Sequence, residues 1–253
     1  MLFQLAITEL CFKINLQVEE QAIPIFERMH PGAIGVFAFD NSSAHAAFAA
    51  DALNAKTMNV NPGGKQPIMR DTIFNGQAQQ MVFPDDYPDA SLCGKAKGMR
   101  VVLQEWQLWR EGMVGFCNNN SPTNRCCMRH VLEQQADFAN QKCLLQEVIE
   151  AHGHKIIFYP KFHCELNYIE MYWGAVKRYT RANCDYTWRG LQQVVPEALN
   201  SVSLQQIRRY ARKSFRYMDA YRKGLDVKQA EYAVKKYEKH CEIPQSIHNE
   251  LEL

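Results

Sequence analysis

The sequence predicts an α/β protein, and three observations carry that prediction. Residues 34–39, Ile-Gly-Val-Phe-Ala-Phe, form a nearly continuous apolar run of strand length, the pattern of a buried strand in a parallel or mixed sheet. Ile156, Ile157 and Phe158 form a second run, β-branched and aromatic, that Pro160 bounds because proline cannot donate to a central ladder. Between and after these runs, apolar residues recur at helical spacing.

Taken in order, residues 17–28 carry Val18, Ala22 and Ile25 at helical spacing, with Pro24 predicting a kink or a late start. Pro31-Gly32 breaks the chain before the first strand. That strand ends on Asp40, and Ser42 or Ser43 is placed to cap a helix over Ala-His-Ala-Ala-Phe-Ala-Ala-Asp-Ala-Leu, residues 44–53. Residues 55–125 are dense in Gly, Pro, Asn and Asp, with one short helix predicted over 104–110 around Trp106 and Trp109. So long a structureless loop is uncommon in a compact domain, so this stretch reads as an insertion with small folded parts of its own. Helical patterning resumes over 126–149, with Leu132, Ala136, Phe138, Leu144, Leu145 and Val148 as core candidates. After the second strand, Glu170, Trp173, Gly174 and Lys177 share one helix face. Three more helices are predicted over 191–200, 204–221 and 227–240, with Gly190 and Gly224 marking breaks.

The 253 residues suffice for one large or two modest domains. Net charge is only +2, yet residues 171–240 hold 15 Lys and Arg against 6 Asp and Glu. A basic C-terminal third on an acidic body points to a polyanionic partner, or else to a set of solvated helices. Within it Arg208, Arg209, Arg212, Lys213 and Arg216 interleave with Tyr210, Phe215 and Tyr217. Such a surface suits phosphate backbones, although the aromatics would equally serve as helix core. The nine cysteines show no disulfide-framework spacing, and reduced thiols in an intracellular protein are expected. The opening residues lack the basic segment of a secretory signal and meet Glu9 early. No apolar run approaches the roughly 20 residues of a membrane span, so no membrane partner is expected. Cys117, Cys126, Cys127 and His130 suggest zinc, with His163 and Cys164 as candidate extra ligands, but adjacent cysteines make a poor chelating pair.

Asp40 sits where open α/β sheets present chemistry, at the C-terminal end of a strand, although an aspartate there also caps helices. A second carboxylate, Glu165 or Glu170, follows the second strand. Carboxylates so placed bind Mg²⁺, a hard cation that prefers oxygen ligands.

The run Asp40-Asn41-Ser42-Ser43-Ala44-His45 after a hydrophobic strand resembles the second-aspartate motif of mariner-superfamily transposases, D-N-x-x-x-H. Glu165-Leu166-Asn167-Tyr168-Ile169-Glu170, followed by Trp173 and the Lys177-Arg178 pair, is similar to their third-acid motif, S-P-D-L-N-P-I-E with x-x-W and a basic pair. Tyr168 replaces the usual proline, and His163-Cys164-Glu165 replaces S-P-D. The strict matches cover residues 35–45 and 155–180, while the insertion and tail look like a eukaryotic branch of these elements.

The resemblance implies a DDE-type endonuclease domain. Its fold would be a partial RNase H-like (retroviral integrase-type) mixed sheet with flanking helices, a long insertion and a helical C-terminal tail. Residues 1–54 and 146–190 would form the core, 55–145 the insertion and 191–253 the basic tail. Asp40 would be the second metal-binding acid and Glu170 the third, with Glu165 the alternative because some mariner-type enzymes use the earlier position. Asn41 and His45 would support the acids or face DNA. Lys177 and Arg178 would meet backbone phosphates, as would Arg208 and Arg212 in the tail. The implied cofactor is Mg²⁺ or Mn²⁺, the partners are transposon ends and target DNA with a possible homo-oligomer, and the place is the nucleus. The family also needs a first aspartate upstream, and residues 1–39 contain none, so the chain reads as lacking the N-terminal part and little catalysis is expected of it.

Overall fold

Helical periodicity around Pro24 becomes, in the computed structural model, one helical stretch from residue 13 whose middle is a wide π-turn, Val18–Ala22, leading into α1, Ile23–Met29. Pro24 has no N–H to give the preceding turn, and the widened turn lies just where that bond would fall. The structure describes residues 13–117, 126–240 and 242–251; Glu9 and the asparagine run at 118–120 lie outside them. Among the described residues the chain is mixed α/β. It divides into two compact units, Met1–Ala33 with Ser43–His154, and Ile34–Ser42 with Lys155–Leu253.

In the first unit the insertion has a core of its own. Its elements are the hairpin β2, Thr72–Phe74, and β3, Gln77–Gln79, then α2, Met99–Glu105, α3, Met128–Glu133, α4, Ala136–Ala139, and α5, Leu144–Ala151. Met58, Met69, Met81, Met99 and Met128 are all buried around Leu103 and Leu132. Unbranched methionines fill such irregular space well, which is how a stretch with little periodicity still closes a core. Trp106 stacks on Phe74 with ring centroids 4.3 Å apart and gives its indole N–H to Gln79 Oε1 at 2.7 Å. The helix predicted over 104–110 therefore ends where it was expected to begin, with Trp106 at its C-terminal cap. Gly98 is required by its surroundings: a Cβ there would lie 2.4 Å from the Asn61 carbonyl carbon. The helix predicted over 44–53 does not form. Residues 43–46 make a turn instead, and Ala52 and Leu53 are buried without helical backbone, Leu53 in the insertion core.

The second unit is built on β1, Val36–Phe39, paired in parallel with β4, Lys155–Phe158. The register aligns Val36 with Lys155 and Phe39 with Phe158. Both strands were expected to be buried, and neither is: Val36 is 59% exposed and Ile157 48%. Among the described residues this sheet has two strands.

After β4 come α6, Ile169–Asn183, α7, Trp188–Asn200, α8, Leu204–Arg222, α9, Val227–Lys236, and α10, Ile247–Leu251. Thr187 caps α7 by accepting from the Gly190 N–H, so Gly190 lies inside that helix rather than breaking it. Ser203 opens α8 with a reciprocal box, its Oγ taking the Gln206 N–H while Gln206 Oε1 takes the Ser203 N–H. Gly224, at φ +81°, ends α8 as its position predicted. Val176 packs against Ala198 and Val202, and Ala220, Ala230, Ala233 and Ile243 form a second small core. The tail helices thus join β1, β4 and α6 in one unit, whereas the sequence boundaries set them apart. No helix among the described residues is long and apolar enough to cross a membrane.

Candidate metal and nucleic-acid site

The parallel register brings the two motifs together. Tyr159 N–H donates to Phe39 O at 2.8 Å, extending the ladder by one step, so Asp40 and Tyr159 leave the sheet side by side at its C-terminal end. Crevices at that end of parallel strands are where open α/β sheets bind ligands. From Tyr159 the chain turns through Pro160 and Phe162, the latter at φ +67°, into a 3₁₀ turn, Cys164–Leu166. It then enters α6, which places Glu170 in the first helical turn, where a carboxylate is favoured by the helix dipole.

The result is a cavity of about 270 Å³ with Asp40 and Glu170 in its wall, 130 positions apart in sequence. Asn41, Tyr159, Lys161, His163, Cys164 and Asn167 complete most of the lining. Burial pushes the Tyr159 hydroxyl above its ordinary value, with a smaller push from Tyr168. Lys161 adds a cation to the lining that holds the two carboxylates. Lys161 went unremarked in the sequence and Asn167 entered only as part of the motif, although both sit on the short connection between the second strand and Glu170.

Glu165 is placed differently. Its carboxylate accepts from the Tyr221 hydroxyl at 2.7 Å and lies 2.8 Å from His163 Nδ1. Its backbone carbonyl accepts from Ser214 Oγ at 2.9 Å. Desolvation raises the Glu165 pKa, but the hydrogen bonds from Tyr221 and His163 outweigh it and hold the group below its ordinary value. Burial and the neighbouring carboxylate raise that of Tyr221. Glu165 therefore ties the 3₁₀ turn to α8 and is not in the cavity wall.

Asn41 joins the cavity; His45 lies in the first unit, in the turn at 43–46. Lys177 and Arg178 are exposed on α6, two turns beyond Glu170, outside the cavity wall.

A second cavity, about 600 Å³, is lined by Arg209, Tyr210, Arg212, Lys213 and Arg216 of α8 and by Glu238, Lys239 and His240. The four cations of α8 follow a spacing of three, one and three residues, which puts them on one helical face. Arg208 is exposed and is not in the cavity lining. Arg216 is buried, with Nη1 3.5 Å from His240 O, and anchors the groove floor. The interleaved aromatics divide: Tyr217 packs on the Ala220 core, Tyr210 packs on the Val176 core and also faces the groove, and Phe215 is exposed.

Comparison with protein-family models, with curated proteins and with solved structures found no match to this chain.

Proposed function

We propose that this chain is the DDE-type endonuclease domain of a mariner-superfamily transposase, with an RNase H-like core, acting on DNA in the nucleus. The observation that carries the reading is the convergence of Asp40 and Glu170 on one cavity at the C-terminal ends of two parallel strands. Asp40 is the acid of the first motif, and Glu170 is one of the two candidate acids of the second, Glu165 being the other. The donor set suits a hard divalent cation: two carboxylates, with Asn41 and Asn167 in the same lining. Mg²⁺ or Mn²⁺, held by Asp40 and Glu170, would supply Lewis acidity toward a phosphodiester oxygen and toward water. Lys161 offsets the negative charge of an incoming phosphate, and the exposed Lys177 and Arg178 extend the positive surface along α6. Glu165 serves as a clamp for α8 and is not assigned to the metal.

Nucleic-acid binding without catalysis is the second reading, and the groove on α8 favours it. Five cations, Arg209, Arg212, Lys213, Arg216 and Lys239, face one carboxylate, Glu238, around Tyr210. Such a groove binds phosphate with strong salt dependence.

Mn²⁺ binding followed by electron paramagnetic resonance tests the first reading. Wild-type protein and Glu165→Gln should bind the ion, while Asp40→Asn and Glu170→Gln should lose it. Binding that survives both of the latter substitutions would sink the assignment. Robust nicking of DNA by wild type, abolished by Asp40→Ala, would decide against the second reading. A gel-retardation series across salt tests the groove: Arg209→Ala with Arg212→Ala and Lys213→Ala should reduce the salt slope by about 0.9 for each phosphate the groove no longer neutralises. Salt-independent retardation would rule out phosphate-driven binding.

A further inference from the structure

Four metal-ligating side chains meet in the first unit, at the corner where an extended stretch gives way to α3. Val114 and Cys127 form a parallel bridge, and Met128 N–H donates to Val114 O at 3.0 Å and Arg129 N–H to Gly115 O at 3.2 Å. These bonds set the stretch leading to Cys117 beside the start of the helix. Arg129 Nη2 also donates to Cys117 O at 3.1 Å, fixing the cysteine itself. Cys117 Sγ lies 2.7 Å from Cys126 Sγ and 3.5 Å from His130 Nδ1, and Cys126 Sγ is 3.3 Å from the same nitrogen. With Cys127 Sγ, all four donor atoms fall within 4.8 Å of one another.

We propose that Cys117, Cys126, Cys127 and His130 are a closed Cys₃His site for one zinc ion, which staples the insertion across the eight residues between Cys117 and Cys126. The donors decide the metal class: three sulfurs and an imidazole are soft and borderline ligands, suited to zinc and poorly suited to Mg²⁺ or Ca²⁺. The spacing decides the role. Four protein ligands leave no open position, which is the pattern of structural rather than catalytic zinc. A tetrahedral ion with Zn–S bonds of about 2.3 Å needs sulfurs about 3.8 Å apart, so Cys117 and Cys126 separate by roughly 1 Å when it binds. Adjacent cysteines would normally point apart. Here Cys127 is extended, at φ −141° and ψ 164°, immediately before the helix, and the corner brings both thiols to the same side.

The thiols bind as thiolates, so metal entry releases their protons to solvent. Arg129 sits at the edge of the cluster, with Nη2 beside His130 Nε2. Its contact with His130 Nε2, 3.4 Å, is given up, because Nδ1 on the metal leaves Nε2 carrying the proton. The site belongs to the first unit and does not rest on the DNA reading.

The test uses the full chain purified under reducing conditions without chelator. Mass-spectrometric metal analysis should find one zinc per chain. Replacement by Co²⁺ should give thiolate charge-transfer absorption and intense visible bands of a tetrahedral site. Cys117→Ser and His130→Ala should lower the zinc content to background, Cys143→Ser should leave it unchanged, and His130→Cys, which keeps four donors, should retain it. Wild-type protein without stoichiometric zinc and without those cobalt bands would overturn the proposal, whatever the variants do. So would a Cys117–Cys126 disulfide in the reduced preparation, or zinc retained by both Cys117→Ser and His130→Ala.

Discussion

Substituting Glu165 with glutamine separates a clamp from a catalytic acid. In the wild type its carboxylate takes one hydrogen bond from Tyr221 and one from His163 while remaining 21% exposed. A hydrogen bond to a charged group contributes about 1.5–3 kcal/mol and a neutral one about 0.5–1.5, so removing the charge costs about 1 kcal/mol per bond. With the residual exposure to water discounted, Glu165→Gln should lose about 1.5 kcal/mol, or roughly 3–6 °C in the thermal midpoint. Glu170→Gln, exposed in the cavity wall, should stay within about 0.5 kcal/mol. The sign with pH follows from the depressed pKa of Glu165. Its contribution is complete above the ordinary glutamate value of 4.5 and is lost as pH falls through the lower folded value. The gap between wild type and Glu165→Gln should therefore close in acid. Calorimetry across pH measures it, and adding Tyr221→Phe completes a double-mutant cycle with a coupling of about 1 kcal/mol. Equal stability of wild type and Glu165→Gln at neutral pH, or a gap that widens in acid, would refute the clamp.

Three further outcomes follow from packing and capping. Gly98→Ala should destabilise the first unit by about 3 kcal/mol, because the new Cβ meets the rigid backbone of Val60 and Asn61 rather than a flexible side chain; hydrogen exchange across α2 would register it, and an unchanged pattern would contradict the close approach. Ser203→Ala removes one half of the box that opens α8 and should cost about 1 kcal/mol in chemical denaturation. Trp106→Phe keeps an aromatic against Phe74 but leaves Gln79 Oε1 without its indole partner, for a loss of about 1–3 kcal/mol in the same assay.

Much of the second unit was legible in the residues. The capped helices of the tail, the two strands and the carboxylates beside them are written in local signals: Ser203 three positions before Gln206, Gly224 at a helix end, an apolar run closing on Asp40. The helix expected over 44–53 failed for a physical reason. Its alanines have high helical propensity, but burying Ala52 and Leu53 in irregular backbone outweighs the few tenths of a kcal/mol per residue that propensity offers. The insertion was illegible in detail because its core is assembled from single methionines and aromatics far apart in sequence, with no period to read.

The sequence by itself pointed to a mixed α/β chain, offered Asp40 with Glu170 or Glu165 as candidate acids, and carried the basic character of α8. Tertiary structure decided what local pattern cannot encode, which is proximity. Parallel register set Asp40 beside Tyr159 and so opened one cavity to both acids, whereas a pair of hydrogen bonds turned Glu165 away toward Tyr221. At the start of α3 a single extended residue brought two neighbouring cysteines to one side, which their adjacency in sequence argued against. Pairing partners and backbone corners depend on contacts between distant residues, and those exist only once the chain has folded.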